Sequence, residues 1–152
     1  MEYLTLDLEE VDFSLIGIHS PLADYKLAYL LNQHLNFKLE RFHQNLDFEN
    51  SQAQFPLFEY KNKKQYIDYY LINNKHVQLK HTTNSGLFKE QMSTTSYLIP
   101  EKKKVDFFLK INGICNTIKL FNIISNIKNI PSIVTCYQIE PETLKTKNHL
   151  IF

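Results

Sequence analysis

Twice in this chain an apolar run passes into a segment of helical period and then into a second apolar run. The first instance covers residues 12–18, 20–35 and 37–42, and the second covers 105–111, 113–128 and 132–139. This repetition constrains the fold more than any other feature. A continuously apolar strand needs cover on both faces, and a helix with one apolar stripe can supply that cover. The first helix has start signals, with Ser20 suited to the N-cap and Pro21 to the first helical position. Ala23, Leu27, Leu30, Leu31 and His34 then share one face, and the helix should end near Leu35-Asn36. In the second, Ile114, Ile118, Phe121 and Ile124 share a face with Leu120 and Ile127 nearby, and Pro131 follows. At an offset of 94 residues Val11-Asp12-Phe13 matches Val105-Asp106-Phe107, Leu15 matches Leu109 and Asn32 matches Asn126. The matches fit an internal duplication, and equally any two buried β-α units.

Between these stretches the pattern is that of a meander. Residues 55–60 and 66–72 flank the polar run Lys61-Asn62-Lys63-Lys64, and Asn73-Asn74-Lys75 turns the chain into a strand over 76–81. Residues 3–8 alternate as a further strand, 96–99 form a short one, and 140–143 start a short final helix. Residues 50–54 and 82–95 read as the least ordered, and Gly86 lies in the second of these. The expectation is a single α+β domain over residues 1–152. A mixed, largely antiparallel sheet carries two main helices on one face, with β-α-β units near both ends, in a ferredoxin-like or pseudo-duplicated arrangement.

Composition excludes whole classes of function. Hydrophobic residues make up 43% and charged residues 22%, the balance of a globular domain. The formal net charge of +1, with sixteen lysines against the single Arg41, lacks the bulk basic signature of a nucleic-acid binder. No apolar run approaches the roughly 18 residues a membrane span needs. Residues 1–7 carry no basic segment leading into an apolar one, so the expected compartment is the cytosol. Cys115 and Cys136 sit among apolar neighbours without a C-x-x-C or ligand spacing, and read as buried free thiols. The histidines lack metal-ligand spacing, and neither a metal nor a cofactor is expected.

One segment carries a resemblance. Leu98-Ile99-Pro100-Glu101-Lys102-Lys103-Lys104-Val105-Asp106-Phe107-Phe108-Leu109 resembles the signature of the IPE-x-x-x-VDY family of small bacterial proteins, with Phe107 in place of the final Tyr. Further segments are similar to that family: Leu15-Ile16-Gly17-Ile18-His19-Ser20, Asp24-Tyr25-Lys26-Leu27, Tyr69-Tyr70-Leu71-Ile72 and the stretch 145–152. The resemblance implies a bacterial, cytosolic, single-domain protein and transfers no catalytic residues.

The candidate binding residues are Ile99, Pro100, Glu101, Val105, Asp106, Phe107 and His19. Pro100 ends a strand, Glu101 and the three lysines form a solvated turn, and Val105 opens the next strand. Two readings stand for this motif. It is a structural corner whose carboxylates cap backbone N–H groups, or a contact edge that offers carboxylates and lysines to a partner. His19 lies at a strand-to-helix junction, where α/β proteins place ligands. Gly17-Ile18-His19-Ser20-Pro21 lacks the second glycine of a nucleophile elbow. The favoured function is a non-catalytic protein-interaction or adaptor domain, with a protein partner that includes a second copy of the chain. Self-association would use strand edges or the aromatic-rich strands carrying Phe55, Phe58, Tyr66, Tyr69 and Tyr70. The alternatives are a module for a small ligand or RNA, through Lys61, Lys63, Lys64 and the Gly86 loop, and an enzyme using His19 with Asp106 or Glu101.

Overall fold

The structure, a computed structural model, describes residues 13–47, 52–81 and 91–152. The strand expected at 3–8 and the loop around Gly86 lie outside the described residues. Strand β1 (Phe13–His19) leads into helix α1 (Asp24–Leu35), and the short strands β2 (Glu40–Arg41), β3 (Leu46–Asp47) and β4 (Gln54–Phe55) follow. Then come β5 (Leu57–Asn62), β6 (Ile67–Asn73), β7 (Lys75–His81) and β8 (Gln91–Tyr97). Strand β9 (Phe107–Asn112), helix α2 (Thr117–Lys128) and β10 (Thr135–Ile139) complete the regular elements. Short 3-10 turns occupy Pro100–Lys102, Pro141–Thr143 and Lys147–Leu150.

The main sheet has six strands in the order β10-β1-β9-β6-β5-β2, and every neighbouring pair is antiparallel. The expected α+β fold with a largely antiparallel sheet is what the structure shows, and among the described residues no parallel pair occurs. β1 and β6 run parallel with β9 between them, and β9 and β10 run parallel with β1 between them. These are two interleaved split β-α-β units, the ferredoxin-like arrangement, with β2–β5 inserted in the first. The 94-residue offset has a structural counterpart. It carries Phe13 onto Phe107 and Ile18 onto Asn112, and the ladder pairs Phe13 with Asn112 and Ile18 with Phe107. A pseudo-two-fold axis therefore passes between β1 and β9.

Both faces of the sheet are covered, which is why its strands read as continuous apolar runs. On one face Ile16, Ile18, Tyr69, Leu71, Leu109 and Ile111 pack against Leu27 and Leu31 of α1 and Leu120, Ile123 and Ile127 of α2. On the other, Leu15, Tyr70, Ile72 and Phe108 lie under Leu98, Ile99, Val105, Leu144 and Leu150. Gly17 lies where this packing is close: a Cβ there would lie 2.7 Å from Ile139 Cδ1, the movable end of that side chain. The expected aromatic interface on β5 and β6 is corrected in the same way. Phe55, Phe58, Tyr69 and Tyr70 are buried, and Tyr66 alone of that set faces solvent.

Some boundaries differ from the periodicity. α1 starts at Asp24 with Ala23 in the cap position, because Ser20 is held elsewhere. α2 starts at Thr117, where the Asn116 side chain accepts the Lys119 N–H at 2.8 Å. The stretch 37–42 is strand only at Glu40–Arg41, and residues 91–95 are paired in β8 rather than irregular.

Candidate functional site

The loop between β8 and β9 contains the motif from Ile99 to Asp106, Phe107 opens β9, and the organiser is Asn74, a buried residue between β6 and β7. Asn74 Nδ2 donates to the carbonyls of Lys102 and Val105, each at 2.8 Å, and Oδ1 accepts the Ile99 N–H at 2.9 Å. Its backbone N–H donates to the Asp106 carbonyl and its carbonyl accepts from Leu98 N–H. Ile99 and Val105 are consequently driven into the second core, and Phe107 into the helix-side core.

The two motif carboxylates bind the chain's own backbone. Asp106 Oδ2 accepts the Ser20 N–H at 2.8 Å and Oδ1 pairs with Lys75 Nζ at 2.9 Å. Glu101 Oε1 accepts from the Thr146 N–H at 2.9 Å and its hydroxyl at 2.7 Å. Partial burial pushes the Glu101 carboxyl upward, but the bonds from Thr146 outweigh it and hold the group below its ordinary value. Pro100 is exposed at the start of the 3-10 turn. The geometry is that of a corner tying three sequence-distant segments together.

His19 ends β1 and its Nε2 lies 2.9 Å from the Tyr137 hydroxyl on β10. Ser20 Oγ donates to the Ser132 carbonyl at 3.0 Å and accepts the Leu22 N–H at 3.2 Å, so it closes a turn rather than capping α1. The hydroxyl proton is thus directed at the Ser132 carbonyl, while Asp106 holds the adjacent Ser20 N–H and Glu101 holds Thr146. His76 Nδ1 lies 2.8 Å from the Gln54 carbonyl and His149 Nδ1 2.8 Å from the Leu98 carbonyl. Among the described residues no three His, Cys, Asp or Glu side chains stand together as metal ligands.

Two features escaped the sequence. The first is Lys110, in the middle of β9 and only 2% exposed. Its ammonium lies 3.8 Å from the ring centre of Phe152, 5.0 Å from Phe13 and 5.6 Å from Tyr70. Burial pushes its pKa down to about 8, while three electron-rich faces oppose that by favouring the charged form. A buried lysine of lowered pKa is a candidate nucleophile. Three rings lie around this one, which is 2% exposed. Tyr70 beside it is pushed up to about 12, first by burial and then by Glu59 and Asp68.

The second is the outer face of the helix layer. Tyr25 and Tyr29 on α1 are each 62% exposed, Ile118 and Phe121 on α2 are 73% and 68% exposed, and Ile114 before α2 is 94% exposed. On each helix these positions lie opposite the buried stripe. An open groove of about 530 Å³ runs along α1 between Leu22, Tyr25, Lys26, Tyr29 and Leu30. The periodicity of residues 113–128 did signal an apolar face, but Ile114, Ile118 and Phe121 point outward. The buried stripe is Leu120, Ile123 and Ile127.

Comparison with known proteins adds nothing to this geometry: no family model matches the chain, nor does any curated protein or solved structure.

Proposed function

We propose that this chain is a non-catalytic, cytosolic protein-interaction domain that works by association of its helix layer with a second copy of itself. One observation carries the reading, the exposed apolar outer face formed by Tyr25, Tyr29, Ile114, Ile118 and Phe121, which no element among the described residues covers. Large exposed apolar patches mark interaction sites, and aromatics are enriched at their centres. Five such side chains expose on the order of 600 Å², close to the roughly 800 Å² that each partner contributes to a standard-size interface. Lys26 is the one charged residue lining the α1 groove, so two like faces meet with little repulsion. An isologous two-fold pairing needs that self-compatibility.

The test is the mass in solution by light scattering across a concentration series. The wild type is expected to approach twice the chain mass, and Ile118→Glu with Phe121→Glu to remain at the chain mass with an unchanged circular dichroism spectrum and a melting temperature that no longer depends on protein concentration. Both positions are exposed, so the double variant should still fold. A wild type that stays monomeric at the highest concentration overturns the reading.

A further inference from the structure

The tip of the β5–β6 hairpin gathers basic side chains that are far apart in sequence. Lys61, Lys63 and Lys64 come from the hairpin itself, and Lys38 comes from the segment between α1 and β2. Together with Tyr60 they line an open groove of about 370 Å³ that no carboxylate enters. Lys119 of α2 reaches the same place, where its Nζ donates to Gln65 Oε1. The nearest acid along the ladder is Asp68, paired opposite Lys61.

Beside this groove stands Tyr66, 88% exposed, with a backbone φ of 55°. Left-handed backbone suits Gly or Asn, and a bulky aromatic there is an outlier that invites a functional account. The turn imposes this conformation from two sides. Asn62 Oδ1 accepts the N–H groups of Lys64 and Gln65, at 3.2 and 3.3 Å. Gly113 presses on the other side, so closely that a Cβ there would lie 2.6 Å from the Tyr66 carbonyl oxygen. The ring gains no core contact in return for the strained backbone.

From this juxtaposition we infer that the hairpin tip is a binding site for single-stranded nucleic acid, with the lysines on the phosphates and Tyr66 under a base. A basic groove next to an exposed ring is the combination that non-sequence-specific single-strand binders use. Lysines make point-charge contacts to phosphate without the bidentate fork of arginine, so recognition is tolerant of sequence. The net charge of +1 does not oppose this. Attraction is set within about 8–10 Å at physiological salt, and inside that range the groove is basic. A duplex offers no unstacked base to Tyr66 and is expected to bind more weakly. The site borders the helix layer through Lys119 of α2, but its argument does not depend on the interaction reading.

The experiment is fluorescence anisotropy of short labelled oligouridylate and oligothymidylate on the full chain across a salt series. Binding is expected at low salt, with a log–log salt slope of about −2 to −3 for three or four phosphates contacted. Tyr66→Asn should weaken binding roughly ten-fold by loss of stacking. The same change relieves the left-handed strain, so its melting temperature should stay level or rise, which separates the binding role from a structural one. Lys61→Gln, Lys63→Gln and Lys64→Gln together should flatten the salt slope. Three results overturn the inference: no retention of either oligonucleotide at low salt, wild-type binding by both variants, or equally effective displacement by polyglutamate. The last would reassign the groove to an acidic protein. A preference between the two oligonucleotides would tell RNA from DNA within the same chemistry.

Discussion

Asn74 shows how much of this molecule rests on one neutral side chain. Its amide satisfies the Ile99 N–H and the carbonyls of Lys102 and Val105 in a fully buried position. Each buried backbone group left without a partner costs about 1–3 kcal/mol. Asn74→Ala leaves the Ile99 N–H and the Val105 carbonyl unpaired, while the Lys102 carbonyl keeps the Val105 N–H, so urea unfolding is expected to show a loss of about 2 kcal/mol or more. A loss below about 1 kcal/mol would mean that water replaces the amide and that the corner is not built on it. Nothing in Asn73-Asn74-Lys75 distinguishes this residue from an ordinary turn asparagine. Its partners lie 25 to 31 residues further along, and side-chain partners at that range leave no local signature. Lys110 was hidden for a related reason. Alternation places it on the face of Phe108, but only the fold reveals that Leu150 and its neighbours cover that face.

At the scale of elements, Gly113 couples the end of β9 to the β5–β6 hairpin. It sits at φ +119°, and an added Cβ would lie 2.6 Å from the Tyr66 carbonyl oxygen and 3.3 Å from Ile67 Cα. Both objections are backbone ones that no side-chain shift relieves. Gly113→Ala should therefore cost more than about 2 kcal/mol in thermal melts and speed amide exchange at Ile67. An alanine variant as stable as the wild type would show that the hairpin moves freely against β9. The existence and type of α1, α2 and the strands of the sheet centre were legible in the sequence because each carries a repeating apolar pattern, whereas β8, reading Gln-Met-Ser-Thr-Thr-Ser-Tyr, carries none and was not. The starts of the legible elements were less so. Ser20 has the chemistry of an N-cap, yet its N–H goes to Asp106 and its hydroxyl to Ser132, and the helix begins at Asp24 instead. Tertiary partners chose the cap, and periodicity carries no information about them. Asn36 is the counter-example. A helix can end on a left-handed asparagine without outside help, and α1 ends where the sequence placed it.

For the molecule as a whole, the helices, the antiparallel bias and the paired β-α-β stretches were readable, and the ferredoxin-like expectation carried the order of the four central strands but not the placing of β2 and β5 at the sheet edge. That placing depends on which apolar faces bury each other, and those choices are made across the chain. The outcome is a sheet with two cores, and both contain ionisable groups that turn burial into a dependence on pH. Burial lowers Lys110 from 10.5 to about 8 and raises Tyr69 and Tyr70 from 10.0 to about 12. It also raises the thiols of Cys115 and Cys136. Below pH 8 Lys110 is protonated in both folded and unfolded chains, so its contribution is flat. Between 8 and 10.5 the unfolded chain binds more protons at this site, so stability rises with pH, by at most about 3 kcal/mol before the opposing preference of the rings. The tyrosines and thiols act in the opposite sense. The unfolded chain loses those protons first, so their stabilisation is lost from about pH 9 upward for the thiols, and from 10 to 12 for the tyrosines. Melting temperature should therefore climb above pH 8, turn over near pH 9–10 and fall beyond. Lys110→Met keeps the apolar stem and removes the charge, so it should abolish the climb and leave the fall. If the two curves run parallel from pH 8 to 10, Lys110 keeps its proton in the folded chain, and the three rings rather than burial set the charge of this core.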